Sequence, residues 1–163
     1  MSLCIKPSSL NLTMMNRETN IFDKIGTLIP GYKGYQERDG RRECDRQLRE
    51  QIAYLLSEIE KDINAQIEYS EINLLADIEK IRKKINTLKD LIKYSPYGAS
   101  AFFSDSTIDN NELENVYQMD LDILDASRNL QESVKTKNKN NINTNIQFLE
   151  KSINNRNQYL KDI

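Results

Sequence analysis

Apolar residues recur at spacings of three and four, almost without a break, from Gln47 to Tyr94 and again from Glu112 to Val134. That rhythm lines one face of a helix, and a face so long must be covered by other helices. Few turn formers interrupt it. The 163-residue chain has five glycines and three prolines, with 29% charged and 38% hydrophobic residues, which suits helices better than a turn-rich sandwich or barrel. The expected fold is all-α: an elongated antiparallel bundle of three long helices, with a short N-terminal helix and a fourth helix at the C-terminus.

The punctuation divides this pattern. Residues 1–15 show no periodicity and read as a mobile tail. Between Arg17 and Ile29, the residues Ile21, Phe22, Ile25, Leu28 and Ile29 define a short amphipathic helix, stopped by Pro30-Gly31 in what reads as a type II turn from Ile29 to Tyr32. The first long helix begins between Tyr35 and Arg41 and carries Cys44, Leu48, Ile52, Leu55, Leu56, Ile59, Ile63 and Ile67 on its stripe. A break near Tyr69-Ser70, with Ser70 as cap, separates it from a second stripe running from Ile72 to Ile92. The alternative is one long coiled-coil rod, which would need a partner chain. Ser95-Pro96-Tyr97-Gly98 reads as a second reversal, and Asp109 with Glu112 as a capping box opening a third long helix over residues 109–135. The polar run from Lys135 to Asn141 reads as a linker, so a bundle domain over 16–135 precedes a linker and amphipathic helix over 136–163.

Several functions are excluded or disfavoured by what the chain lacks. With no histidine it cannot build Ser-His-Asp or Cys-His nucleophile systems or imidazole metal sites. Cys4 and Cys44 have neither disulfide-framework nor metal-ligand spacing, and point to a reducing compartment. Asp105, Thr107, Asp109 and Glu112 fail as a calcium loop, because Asn110 stands where glycine is needed and Val116 where glutamate is needed. No glycine-rich phosphate loop is present. No metal, cofactor or small-molecule substrate is therefore expected. The N-terminal stretch does not read as a signal peptide and no run is long and apolar enough to span a bilayer, so the expected location is cytoplasmic. A net charge of −2 gives no global field toward nucleic acid. Charge is instead local: eight acids against Arg128 alone between Ser104 and Glu132, then six bases against Glu150 and Asp162 from Lys135 to Ile163.

Asp120 lies one turn from both Val116 and Leu124, hence on an inward face where an ionised carboxylate needs a partner. The expected partner is the arginine cluster Arg38, Arg41, Arg42, Arg46 and Arg49, of which Arg38, Arg42, Arg46 and Arg49 share a face by spacings of four, four and three, although acids interleave with it and argue against a nucleic-acid patch. Charge reversal at Arg42 is then expected to lower stability. Asp120, Asp122 and Asp125 are the residues a carboxylate-dependent enzyme would use, the weakest of the readings. The aromatics Tyr32, Tyr35, Tyr97, Phe102 and Phe103 gather at the two reversals, where they either seal the core or form a docking patch. Ile21, Phe22, Ile25, Leu28 and Ile29 can likewise cover the core, dock on a partner, or lie on a membrane surface.

The segments Leu28-Ile-Pro-Gly-Tyr-Lys-Gly-Tyr35 with Arg41-Arg-Glu-Cys-Asp45, and Tyr97-Gly98 through Phe103 and Leu113 to Tyr117-Gln-Met-Asp120, resemble an uncharacterised family of small bacterial helical proteins. Members are encoded near band-7 or stomatin-like membrane-scaffold proteins, which implies an adapter role at the inner face of the membrane. The resemblance spans residues 28–134 and brings no catalytic residues. Together these readings point to a non-enzymatic adapter or scaffold subunit that binds another protein or itself, with a peripheral membrane protein anchored by residues 17–29 as the alternative.

Overall fold

The structure is a computed structural model that describes residues 20–67, 71–95, 101–104 and 107–163. The tail at 1–15, the start of the first helix at Arg17, the Tyr69-Ser70 cap and the Pro96-Tyr97-Gly98 part of the second reversal lie outside the described residues, as does Asp105. Among those described, the fold is all-α. A short α1 (Ile21–Leu28) leads to the long α2 (Arg38–Ile67) and α3 (Ile72–Tyr94); a single turn, α4 (Ala101–Ser104), precedes α5 (Asn110–Lys135) and α6 (Lys139–Asp162).

Four long helices enclose the core, the fourth being the C-terminal one. In cross-section they follow the order α2, α3, α6, α5, with α5 closing back onto α2, so that α2 and α6 form one diagonal and α3 and α5 the other. Polar cross-links give the directions. Glu60 of α2 bonds Lys89 of α3, and Arg49 bonds the carbonyls of Ile92 and Ser95, so early residues of α2 meet late residues of α3. Asn115 of α5 bonds Tyr159, and Asn145 of α6 bonds Asn129, an antiparallel pairing as well. Ile52, Leu56 and Ile59 from α2, Ile85 and Ile92 from α3, Val116 and Leu130 from α5, and Leu149 and Ile153 from α6 are buried between them.

Local chemistry accounts for the element ends. Tyr32 N donates to Ile29 O at 3.2 Å with Gly31 at φ 78°, the type II reversal expected after α1. Gly40 falls within the first turn of α2, where its entropy cost is least. The Asp109 carboxylate accepts from Glu112 N at 2.8 Å and the Glu112 carboxylate from Asp109 N at 3.0 Å, a complete capping box. The cap of α3 is Glu71, without a side-chain bond.

Two expectations need correction. The polar run 135–141 is not a linker: only Thr136, Lys137 and Asn138 leave helical structure. Asn138 N bonds Ser133 O at 3.1 Å and Lys137 N bonds Val134 O at 3.1 Å, with Lys137 at φ 55°, which together form a Schellman motif ending α5. Asn138 then caps α6 by accepting from Asn141 N at 3.2 Å. Capping residues are polar, so composition mistook two abutting caps for a linker. The stripe of α3 is likewise covered only in part: Ile85, Leu88 and Ile92 are buried, but Ile72 at the open end is 87% exposed.

Two backbone positions predict opposite effects. Lys137→Gly removes the Cβ strain of a left-handed residue and should raise stability by about 0.5–1 kcal/mol. Gly34 has φ 80°, and a Cβ there would lie 2.6 Å from both the Phe22 ring and the Tyr117 hydroxyl, so Gly34→Ala should lower stability by about 2–3 kcal/mol. Urea unfolding of both variants measures each change.

Candidate functional site

Asp120 is fully buried, and its ion partner is Arg156 of α6, not the arginine cluster of α2. Arg156 Nε donates to Asp120 Oδ1, while Nη2 donates to Asp45 Oδ1 at 2.7 Å and to the Tyr35 hydroxyl at 3.1 Å. Tyr35 in turn donates to Asp120 Oδ2 at 2.6 Å, with the Tyr32 hydroxyl farther away at 3.5 Å. One guanidinium thus joins α2, α5 and the loop before α2. Asp45 and Arg156 come from helices on a diagonal, so the pair spans the centre of the molecule. Arg49 Nε lies 2.7 Å from Asp45 Oδ2, close enough for an ion pair but poorly aligned for a hydrogen bond.

The two other buried arginines hold backbone. Arg41 Nε donates to Tyr35 O at 2.8 Å and its Nη1 to Phe102 O at 3.0 Å; Arg49 Nη1 donates to Ser95 O at 2.8 Å. Guanidinium, with several donors and a permanent charge, satisfies carbonyls at helix ends that would otherwise be costly to bury.

The electrostatics fit a closed, structural site. Burial pushes the Asp120 carboxyl above its usual range, against the pull of Arg156. Burial, reinforced by the Asp120 charge, raises the Tyr35 phenol well above its usual range, so Tyr35 is a neutral donor at physiological pH. Burial alone would weaken the charge on Arg156, but Asp120 and Asp45 outweigh it and hold the guanidinium protonated. Asp45, Asp120 and Arg156 are each 0% exposed, which leaves a dissolved substrate no approach to them.

The remaining arginines of the α2 cluster are solvated. Arg38 pairs with its neighbour Asp39, and Arg46 with Glu43 and Glu50. Arg42 is exposed, with its guanidinium 5.2 Å from the centre of the Phe103 ring. Reversal of Arg42 breaks no buried pair, contrary to expectation. Spacings of four, four and three drift around a helix, and only Arg49 turns inward.

The apolar docking candidates also lie inside. Ile25, Ile29, Tyr32, Tyr35, Phe102 and Phe103 are buried, and Ile21, Phe22 and Leu28 are half-buried against the same core, while Tyr97 lies outside the described residues. Phe22 meets Tyr32 and Tyr117 at 5.9 Å, Tyr35 stacks on Tyr117 at 5.4 Å, and Phe102 meets Tyr35 at 5.2 Å. These rings close the end of the core over the ion network. Among the described residues, α1 packs its apolar face on α5, with Ile21, Phe22 and Leu28 left half-buried at its edge. No helix among the described residues is long and apolar enough to cross a membrane.

What the surface does present is charge. Glu114, Asp122, Asp125 and Glu132 share the outward face of α5, all exposed, and no salt bridge involves any of them among the described residues. Arg128 is the cation nearest to this face in sequence. The basic C-terminal segment is adjacent, as α6, yet its link to these acids is the buried pair Arg156–Asp120 and no surface pair. On the other side, Lys80, Lys83 and Lys84 of α3 and Lys139 of α6 line a groove of about 440 Å³ with Asp77, Ile81 and Asn143.

Comparison with protein-family models, curated proteins and solved structures finds no match to this chain.

The residue that sequence reasoning missed is Arg156, and Asp45, read only as an acid interleaved with the arginine cluster, proves to be a buried partner of it. A signal for Arg156 exists: the α6 stripe runs Ile142, Ile146, Leu149, Ile153 and then skips to Leu160, and Arg156 fills the vacant inward position. Arg41 likewise extends the α2 stripe one turn before Cys44.

Arg156→Met leaves two buried carboxylates without their shared cation and should cost about 3–5 kcal/mol in urea unfolding, whereas Arg46→Ala, which removes only exposed pairs, should shift the midpoint slightly. The pH dependence has two signs. The Lys89 hydrogen bond lowers the Glu60 carboxyl below its ordinary 4.5, so this pair stabilises the fold above that value and fades as pH falls through the folded value. Asp120, being raised, runs the other way: its contribution is full below its ordinary 3.8 and declines as pH rises through the folded value. Acid loss of stability therefore comes through half-buried pairs such as Glu60–Lys89, and Lys89→Met should flatten the decline in thermal midpoint below about pH 4.5.

Proposed function

We propose that this chain is a non-enzymatic interaction subunit, an adapter or scaffold that binds another protein or further copies of itself through the charged outer faces of its helices. The observation that carries this reading is the acidic face of α5, where Glu114, Asp122, Asp125 and Glu132 stand exposed without ion partners. Asp122 and Asp125, three residues apart, repel along the helix at a small cost in stability. An arrangement that destabilises the isolated helix is what a surface tuned to a basic partner contains, since complementary charge speeds encounter and fixes register.

The buried position of Asp120 favours this reading over a carboxylate enzyme, and the inward turn of Ile21, Phe22, Ile25, Leu28 and Ile29 favours it over a membrane anchor. The exposed apolar side chains Tyr54, Ile72, Leu74, Tyr94 and Phe148 are spread over α2, α3 and α6, with Ile72 and Leu74 together at the start of α3, and charge is the more extensive basis for recognition.

Affinity capture at low ionic strength from the cells that express the chain tests this. Wild type should retain a stoichiometric species, either another protein or untagged copies of the chain, and Asp122→Lys with Asp125→Lys should release it. Equal retention by both would remove the acidic face from the proposal.

A further inference from the structure

We propose that the lysine-lined groove between α3 and α6 receives the acidic face of α5 from a second copy of this chain, so that copies associate head to tail. The inference rests on the interaction reading above and names its partner.

The groove carries unspent positive charge. Asp77 is its single carboxylate, and it is shared at long range, 3.8 Å from Lys80 Nζ and 3.5 Å from Lys139 Nζ. Lys83 and Lys84 have no salt bridge among the described residues, although Lys83 lies near enough to Glu79 to influence it. Glu79 itself is held by Arg82 at 2.7 Å. Four ammonium groups against one carboxylate leave a surplus of three positive charges within the groove.

The α5 face carries the complementary deficit. Its four carboxylates stand against Arg128 and, at the helix end, Lys135, a surplus of two negative charges. The spacing also matches. Asp122 and Asp125 are about one helical turn apart, as are Lys80 and Lys84, so each pair of like groups is separated by roughly 5–6 Å at Cβ. Ile81 lies between the lysines in the groove lining and offers an apolar contact to the methylene stems around it. Within one molecule the two faces cannot meet, because α3 and α5 lie on a diagonal of the fold. Their neutralisation requires a second chain. A groove on one side and its complement on another make a heterologous contact, which builds rings where the rotation closes and open chains where it does not.

Sedimentation velocity on the purified chain over a range of concentrations tests the proposal. At about 0.05 M salt the mean mass should rise with concentration above the 19.0 kDa of one chain, and return to it near 0.5 M, where screening acts within roughly 4 Å. Lys80→Glu with Lys84→Glu should hold the protein at single-chain mass, and so should Asp122→Lys with Asp125→Lys. An equimolar mixture of the two variants should recover the heavy species, since each then offers the other a complementary face. All four side-chain changes lie at exposed positions, and circular dichroism should confirm unchanged helix content. A wild type that stays at 19.0 kDa at every salt and concentration would overturn the proposal, as would association that survives either reversal or a mixture that stays monomeric. If wild type stays monomeric while affinity capture still yields a different protein that Asp122→Lys with Asp125→Lys releases, self-association falls and the adapter reading stands. If neither species appears, both fall.

Discussion

Arg156 of α6 ties α2, α5 and the loop before α2 to one guanidinium. Removing a guanidinium and two carboxylates from water is expensive, and an interior ion pair is often no more stable than apolar residues of the same volume. Its value lies in selection among arrangements. Apolar stripes made mostly of isoleucine and leucine pack in several registers at similar energy, and α6 could slide by a turn along α5 with modest loss. With Arg156 displaced from Asp45 and Asp120, such a slide would strand three buried charges. The ion network thus converts a permissive apolar interface into one with a single low-energy register.

Tyr35 makes that network tolerable. It occupies the free side of the Asp120 carboxylate with a short hydrogen bond and accepts one from Arg156, so few lone pairs go unmatched. Its position depends on the loop from Pro30 to Glu37, which is fixed in turn by Gly31 and Gly34 at positive φ and by the Arg41 bond to its carbonyl. The aromatic cluster above supplies a water-poor lid, in which charge-assisted bonds are strong and unpaired groups costly. Loop conformation, aromatic packing and ion pairing are therefore one cooperative unit, with α1 as its outer cover.

Elements that follow from local periodicity were legible in the chain: the boundaries of α5 and its capping box, the type II turn at Pro30-Gly31, and the inward position of Asp120. The choice of its partner was not, because ion pairing depends on which helices become neighbours. Arg38, Arg42 and Arg46 were near in sequence and numerous, whereas Arg156 stood alone in an asparagine-rich segment whose helix propensity is low. Tertiary packing on α5 overrides that propensity, and the inward gap between Ile153 and Leu160 was the available clue. The same blindness affected α1 and the aromatics, since an amphipathic stripe records that a face is covered and leaves unstated what covers it.

Charge is distributed by the opposite logic inside and outside. In the core every carboxylate is matched to a guanidinium that comes from another turn or another helix, and the residues involved are fixed by geometry. On the surface, α2 pairs its charges locally, as Arg46 does with Glu43 and Glu50, so that face presents little net field. The α5 face and the α3–α6 groove depart from this pattern, each keeping a surplus of one sign that no neighbouring side chain cancels. Such separation is unnecessary for solubility, which mixed charges provide equally well. Nor does it aid folding, because like charges along α5 oppose its helix. The stability it forgoes would be regained where either face met opposite charge on another molecule, and that is the physical ground on which we propose an interaction role for these surfaces.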